Sequence, residues 1–279
     1  GSLISDKKIE LLRQYKTRVG VSIDGYWPAN RWRGKTKKNT DLVVINILKL
    51  KKAGIQTGIL ITLHKDNASP QKIKYIEKLI LDMAKEGVYS KINLICHADP
   101  KIELTVPEAK RACLRLAGFF LHYNLSHLKP FRNIIDNLLG YSGIECTFKN
   151  CDPYCTQAIH ITSQGVPNLC GRFMTEVFHR PSSPTSARWE ILRQTDCRGC
   201  RYGGKVCFGG CPAVAKDWDW RNKDRFCEVY KSLYEFFEKK LKLLAPSLLL
   251  KTDPGFKPHN QPIVQYSEQR RGLSSRCSS

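Results

Sequence analysis

The chain has 279 residues, with 46 Lys and Arg against 25 Asp and Glu, a formal charge of +21. With 42% hydrophobic residues it can bury a core, which excludes wholesale disorder. No run reaches the roughly 20 uncharged apolar residues of a membrane span, and no signal-peptide pattern opens the chain, so a cytoplasmic protein without a membrane partner is expected.

Asp6–Tyr15 has charged and apolar residues at helical spacing. Val19–Gly25 is a β-rich run ending in a turn signal. Asp41–Ala53 reads as a helix, with Val44, Ile45, Leu48 and Lys51/Lys52 marking its inner and outer faces. Gly58–Leu63 reads as a second strand and Lys91–Cys96 as a third. Between them, Pro70–Gly87 predicts an amphipathic helix with Ile73, Ile76, Leu79, Ile80 and Met83 inward. Strands separated by long helices imply βαβ crossovers and a parallel sheet, either half of an α/β barrel or an open sheet. Pro107–Leu139 reads as helical throughout, and a short strand is expected at Ala158–Thr162. Phe226–Leu244 predicts a final helix, with the Leu-rich run to Leu250 as its end, and 251–279 predicts a loosely held basic tail.

Nine of the twelve cysteines lie between Cys146 and Cys227. Nothing suggests secretion, so metal or cluster binding is favoured over a disulfide framework. Cys155 is followed by fourteen residues and Cys170, with Gly165 five positions before it. Then come Cys197-x2-Cys200-x6-Cys207-x3-Cys211 and, fifteen residues later, Cys227. Gly209 and Gly210 between two cysteines let the backbone pass close to a bulky inorganic core and donate N–H groups to it. Structural zinc usually draws on two Cys-x2-Cys knuckles, and only one exists here; scattered thiols suit larger clusters.

This spacing resembles the SPASM domain of radical S-adenosylmethionine enzymes, over about residues 141–232 and with one extra residue between Cys200 and Cys207. Val19-Gly20-Val21-Ser22-Ile23-Asp24-Gly25 followed by Arg33 similarly resembles the fourth strand of those enzymes' partial barrel. The resemblance implies an α/β fold: the C-terminal part of a partial (β/α) barrel, followed by a cysteine-rich α+β SPASM domain. The implied units are 1–104 (later barrel strands), 105–140 (linking helices), 141–232 (SPASM domain) and 233–279 (C-terminal helix and basic tail). Two auxiliary [4Fe-4S] clusters are implied, one on Cys151, Cys155, Cys170 and Cys211, the other on Cys197, Cys200, Cys207 and Cys227. Cys146 stands as the alternative to Cys151. Cys96 and Cys113 read as ordinary buried thiols and Cys277 as free.

Ser22 has two readings, a small residue packed in a barrel layer or a polar contact to S-adenosylmethionine. No other catalytic residue is assigned. The Cys-x3-Cys-x2-Cys loop that reduces S-adenosylmethionine in that family does not occur; Cys151-x3-Cys155 is followed by Ala158. The first strands and the third cluster are therefore expected in a segment preceding Gly1. Gly171 stands where the sulfatase-maturing branch carries Asp, which points to a different peptide modification. The implied activity is hydrogen abstraction from a peptide or protein substrate, an acidic one in view of the charge, with a flavodoxin- or ferredoxin-type reductant. One alternative is a cluster-carrying electron-transfer or binding module without cleavage of S-adenosylmethionine. Another is a zinc-stabilised, basic nucleic-acid-binding protein, for which Arg31, Arg33, Lys35, Lys37 and Lys38 interleaved with Trp27 and Trp32 would be the surface; the competing reading of that run is a solvated basic loop. His64, His97, His122, His127, His160 and His179 show no paired ligand spacing and read as structural or surface residues.

Overall fold

The computed structural model describes residues 1–95, 99, 101–140, 160, 161, 165, 167, 168 and 185–248. Cys96, His97, Cys146, Cys151, Cys155, Cys170, Gly171, His179, Cys277 and the tail 251–279 lie outside the described residues. The chain forms two compact units, Gly1–Glu238 and Lys239–Ser279. Of the second, only the continuation of a helix to Leu248 is described.

Strict alternation makes Thr57–Leu63 the centre of the sheet: every second residue is buried, beginning at Thr57. This strand, β2, pairs in parallel with β1 (Val19–Ser22) on one side and β3 (Tyr89–Leu94) on the other. A fourth strand, β4 (Leu128–Lys129), pairs in parallel with β3, so the sheet order is β1-β2-β3-β4. The parallel α/β architecture expected from the sequence is present. β4 corrects the all-helical reading of 107–139: the segment is α5 (Val106–His122), β4 and α6 (Phe131–Leu138). Two residues are too few to carry a period, so only pairing with Ser90 and Lys91 defines that strand.

Among the earlier helices, α1 is Asp6–Gln14, α2 is Arg31–Gly34, α3 is Lys37–Lys52 and α4 is Ile73–Lys85. In α4 the five residues expected inward are the five that are buried. α3 starts four residues earlier than the sequence suggests, because the Thr36 hydroxyl caps it by accepting from the Asn39 N–H at 3.2 Å. Its buried stripe is Thr40, Val43, Asn46, Ile47 and Leu50; Ile45 is exposed. The stretch Leu42-Val43-Val44-Ile45 is apolar on both faces, so packing against β2 rather than periodicity chose the side. α5 opens with a reciprocal cap between Thr105 and Glu108, whose backbone hydrogen bond from Thr105 holds the Glu108 carboxyl below its usual range.

His160–Ile161 and Pro167–Asn168 form a short antiparallel pair, β5 and β6; the former falls inside the expected strand at Ala158–Thr162. α7 (Thr185–Gln194) and α8 (Cys227–Leu248) follow, α8 running through Pro246 and ending within the Leu-rich run expected to close it. Phe120, Phe131 and Phe237 pack with ring centroids 5.7–5.9 Å apart, joining α5, α6 and α8 in one core. Arg225 adds an ion pair to Glu103 at 2.6 Å.

Candidate functional site

Four cysteines converge on one cleft. Cys197, Cys200, Cys207 and Cys227 line this partly open cleft together with Gly203, Gly209, Gly210, Lys231 and Tyr234. The loop after α7 supplies three of them, turning on Cys200 N–H to Cys197 O at 3.1 Å and Gly203 N–H to Cys200 O at 3.0 Å. The first residue of α8 supplies the fourth. α7 backs the loop: Trp189 lies against Gly203 and Gly204 and meets Phe208 edge-on, with ring centroids 5.2 Å apart.

The glycine pair is required by space as well as by conformation. Gly209 and Gly210 have φ of +84° and +76°, and added Cβ atoms would sit 2.3 Å from Leu192 Cδ1 and 2.3 Å from Asp224 Cβ. Their N–H groups donate to the Cys207 sulfur. Gly54 offers a contrast, since its φ is +77° but nothing lies within 4 Å of a Cβ there. Gly210→Ala should therefore lower stability by more than about 2 kcal/mol, from strain plus overlap, against about 1 kcal/mol for Gly54→Ala. Urea midpoints of the two variants check this; equal losses would show that Asp224 gives way freely.

Burial dominates the thiols. It pushes Cys207 up to about 11 and Cys227 up to about 12, and it raises Cys197. The guanidinium of Arg188 opposes this at Cys197, and Lys223 opposes it at Cys197 and Cys227. Burial thus favours the protonated thiols, and binding a positive centre would release their protons. Among the described residues no three His, Cys, Asp or Glu side chains are grouped to hold a single metal ion. A tetrahedral zinc needs sulfurs within about 4 Å of one another, whereas a four-iron cluster spreads its four thiolates over its corners. Four thiols around an open space, with N–H donors aimed at one of them, fit the larger group.

Cys211 does not line that cleft. It is 4% exposed, and its N–H donates to Asp224 Oδ2 at 3.1 Å. The other cysteines expected beside it, Cys151, Cys155 and Cys170, are outside the described residues, as is Cys146. Cys113 is buried in α5, as expected, and its thiol is pushed up to about 12.

Two buried charges that sequence reasoning did not single out organise the region. Arg188 donates to the carbonyls of Phe208, Gly209, Gly210, Trp220 and Asn222. Asp224 accepts from Cys211 N–H and Phe226 N–H, and its carbonyl accepts from Cys227 N–H.

The C-terminal ends of β1 and β2 form a second polar centre. Ser22, the last residue of β1, is exposed. Just beyond it, buried Asp24 accepts from Arg33 Nε at 3.0 Å and from Thr62 N–H at 2.9 Å. Asn30 Oδ1 accepts from Asp24 N–H, and Asn67 Nδ2 donates to the carbonyls of Asp24 and Thr62. His64 is buried with Nε2 lacking a hydrogen-bond partner, and burial lowers its pKa. Of the basic run, Arg33 is committed to Asp24, Arg31 pairs with Asp66 and Lys37 with Asp41. The run is not a loop as the sequence suggests, since Arg31 and Arg33 lie on α2 and Lys37 and Lys38 on α3.

The fold class is α/β: a parallel sheet with helices, followed by a module whose thiols wall a cleft. No family model matches the chain, and no curated protein does. Among solved structures it is similar to anSMEcpe with bound AdoMet and Cp18Cys peptide, with a TM-score of 0.70 and 16% identity over 89% of this chain and 74% of that one. The same protein with bound AdoMet gives 0.69 and 16% over 88% and 73%. SuiB of Streptococcus suis bound to S-adenosylmethionine gives 0.46 and 14% over 80% and 56%. At 16% identity the property shared with anSMEcpe is the fold.

Proposed function

We propose that the chain is a radical S-adenosylmethionine oxidoreductase of the SPASM type, modifying a peptide or protein substrate, with residues 151–227 holding two auxiliary [4Fe-4S] clusters. The observation that carries this reading is the convergence of Cys197, Cys200, Cys207 and Cys227 on one cleft. The shared fold supports it, since anSMEcpe is solved with AdoMet and a peptide bound. By resemblance, Cys151, Cys155, Cys170 and Cys211 would hold the other cluster and Ser22 would contact S-adenosylmethionine. Such clusters would supply electron transfer or a Lewis-acidic iron, while the chain's own residues would orient them, exclude water and donate N–H groups to sulfur. An acidic substrate and an acidic flavodoxin- or ferredoxin-type reductant suit the charge of +21.

Anaerobic reconstitution of the full chain should give about eight irons with matching sulfide. Four irons or fewer, or colourless protein with stoichiometric zinc, would sink the reading in favour of the zinc alternative.

The second reading, a cluster-carrying electron-transfer or binding module, is favoured by one sequence fact: no Cys-x3-Cys-x2-Cys occurs. With dithionite and S-adenosylmethionine, this chain alone is expected to produce no 5′-deoxyadenosine. Production would mean that other residues hold the reducing cluster. The edge of β1 is where a preceding segment could add. Val19 and Ile23 N–H groups point at β2, so those of Gly20 and Ser22 face away from it.

A further inference from the structure

The loop between Cys207 and Cys211 consists of three peptide-bearing residues, Phe208, Gly209 and Gly210, and each is held at both ends. A trans peptide points its C=O and the following N–H in opposite directions. The Phe208 carbonyl accepts from Arg188 at 3.3 Å, while the N–H of the same unit, on Gly209, donates to the Cys207 sulfur. The Gly209 carbonyl accepts from Arg188 at 3.1 Å, and Gly210 N–H donates to the same sulfur. The Gly210 carbonyl accepts from Arg188 at 3.0 Å, and Cys211 N–H donates to the Asp224 carboxylate. The same guanidinium donates to Trp220 O at 2.6 Å and Asn222 O at 2.8 Å, on the approach to Asp224 and Cys227. Arg188 is 3% exposed.

We propose that Arg188 is a positioning residue that fixes the two cysteine sets to each other and polarises the N–H donors at Cys207, so that its removal weakens both clusters at once. The inference rests on the two-cluster reading above. Cys207 belongs to one set and Cys211 to the other, and the three peptides joining them converge on one cation. A cation at the carbonyl end of a peptide strengthens the donor at its N–H end, and such donors stabilise added negative charge on a cluster. The planar fork matters as well as the charge. A guanidinium presents five N–H donors in fixed directions, whereas an ammonium offers a point charge with three.

The test compares Arg188→Met and Arg188→Lys with Cys211→Ala and Cys227→Ala in the full chain after anaerobic reconstitution. Iron and sulfide per chain and the cluster midpoint potentials, followed by electron paramagnetic resonance, are the readouts. Each cysteine variant is expected to lose iron mainly from its own site. Arg188→Met is expected to lose iron from both sites in parallel, by about twofold or more, and to shift the remaining cluster signal to lower potential. Arg188→Lys should recover part of the potential and little of the iron. Wild-type iron and potential in Arg188→Met, or a loss confined to one site, would overturn the proposal. If that variant is insoluble, Arg188→Lys decides on the same readouts, full iron overturning it. The two-cluster reading fails on the wild-type iron count, whereas this inference fails on the variant-to-wild-type ratio.

Discussion

Cys211→Ala should reduce the iron of reconstituted protein from about eight to about four and make residues 185–238 easier to proteolyse. Cys211 sits where a thiol is costly to lose. It precedes the 3₁₀ turn Pro212–Val214, whose three residues are buried, and its N–H is anchored on Asp224. The proline fixes the direction in which the chain leaves. Because the side chain stays outside the cleft of Cys197, Cys200, Cys207 and Cys227, those four thiols keep their walls in the variant. Metal-site binding energy is also folding energy, so losing a ligand is felt as stability. If Cys211 were an ordinary buried thiol, alanine would cost only about 1 kcal/mol of packing and no iron. Full iron content with unchanged protease resistance would place Cys211 outside any cluster.

Asp24→Ala is expected to cost about 3 kcal/mol, the low end of what breaking a buried ion pair costs. The carboxylate closes the ends of β1 and β2 by accepting Thr62 N–H, and it is the partner of Arg33. Removing it leaves a buried backbone donor and a guanidinium to be resolvated. Arg33 is 41% exposed, so water recovers part of its charge and the loss stays at the low end. Asp24→Asn keeps an acceptor for Thr62 and should lose about half as much. Urea unfolding measures both; a loss below about 1 kcal/mol for the alanine would show that Asn30 and Asn67 hold the strand ends unaided. Ser22, two residues away, would then owe nothing to this ion pair.

What could be read from the sequence follows the range of the signal. α4 was legible because Ile73, Ile76, Leu79, Ile80 and Met83 lie on one helical stripe between Pro70 and Gly87. The short spacings around Cys197, Cys200 and Cys207 marked three candidate ligands, which the structure sets on one loop. β4 was not legible, since Leu128 and Lys129 have no pattern of their own and exist as a strand through β3. Arg188 left no local trace among 46 Lys and Arg residues; its five carbonyl partners lie 20–34 positions away. The same holds for Asp224, whose importance comes from meeting Cys211 thirteen residues earlier. A buried charge shows itself only once the carbonyls around it have folded.

The cleft is walled by two pieces of chain separated by the turn at 212–226, and this sets an order of events during synthesis. Cys197, Cys200 and Cys207 leave the ribosome first, on a loop whose fourth side is open. Cys227 heads α8, and that helix is pinned only when Val229, Leu233, Tyr234 and Phe237 bury themselves. Tyr234 then closes the arrangement by donating to Val206 O at 2.9 Å, beside Cys207. The pocket cannot be complete on a nascent chain that stops short of Phe237, since domains fold as units once their last element has emerged. A group held by all four thiols would therefore meet its complete set of walls only after this helix has packed.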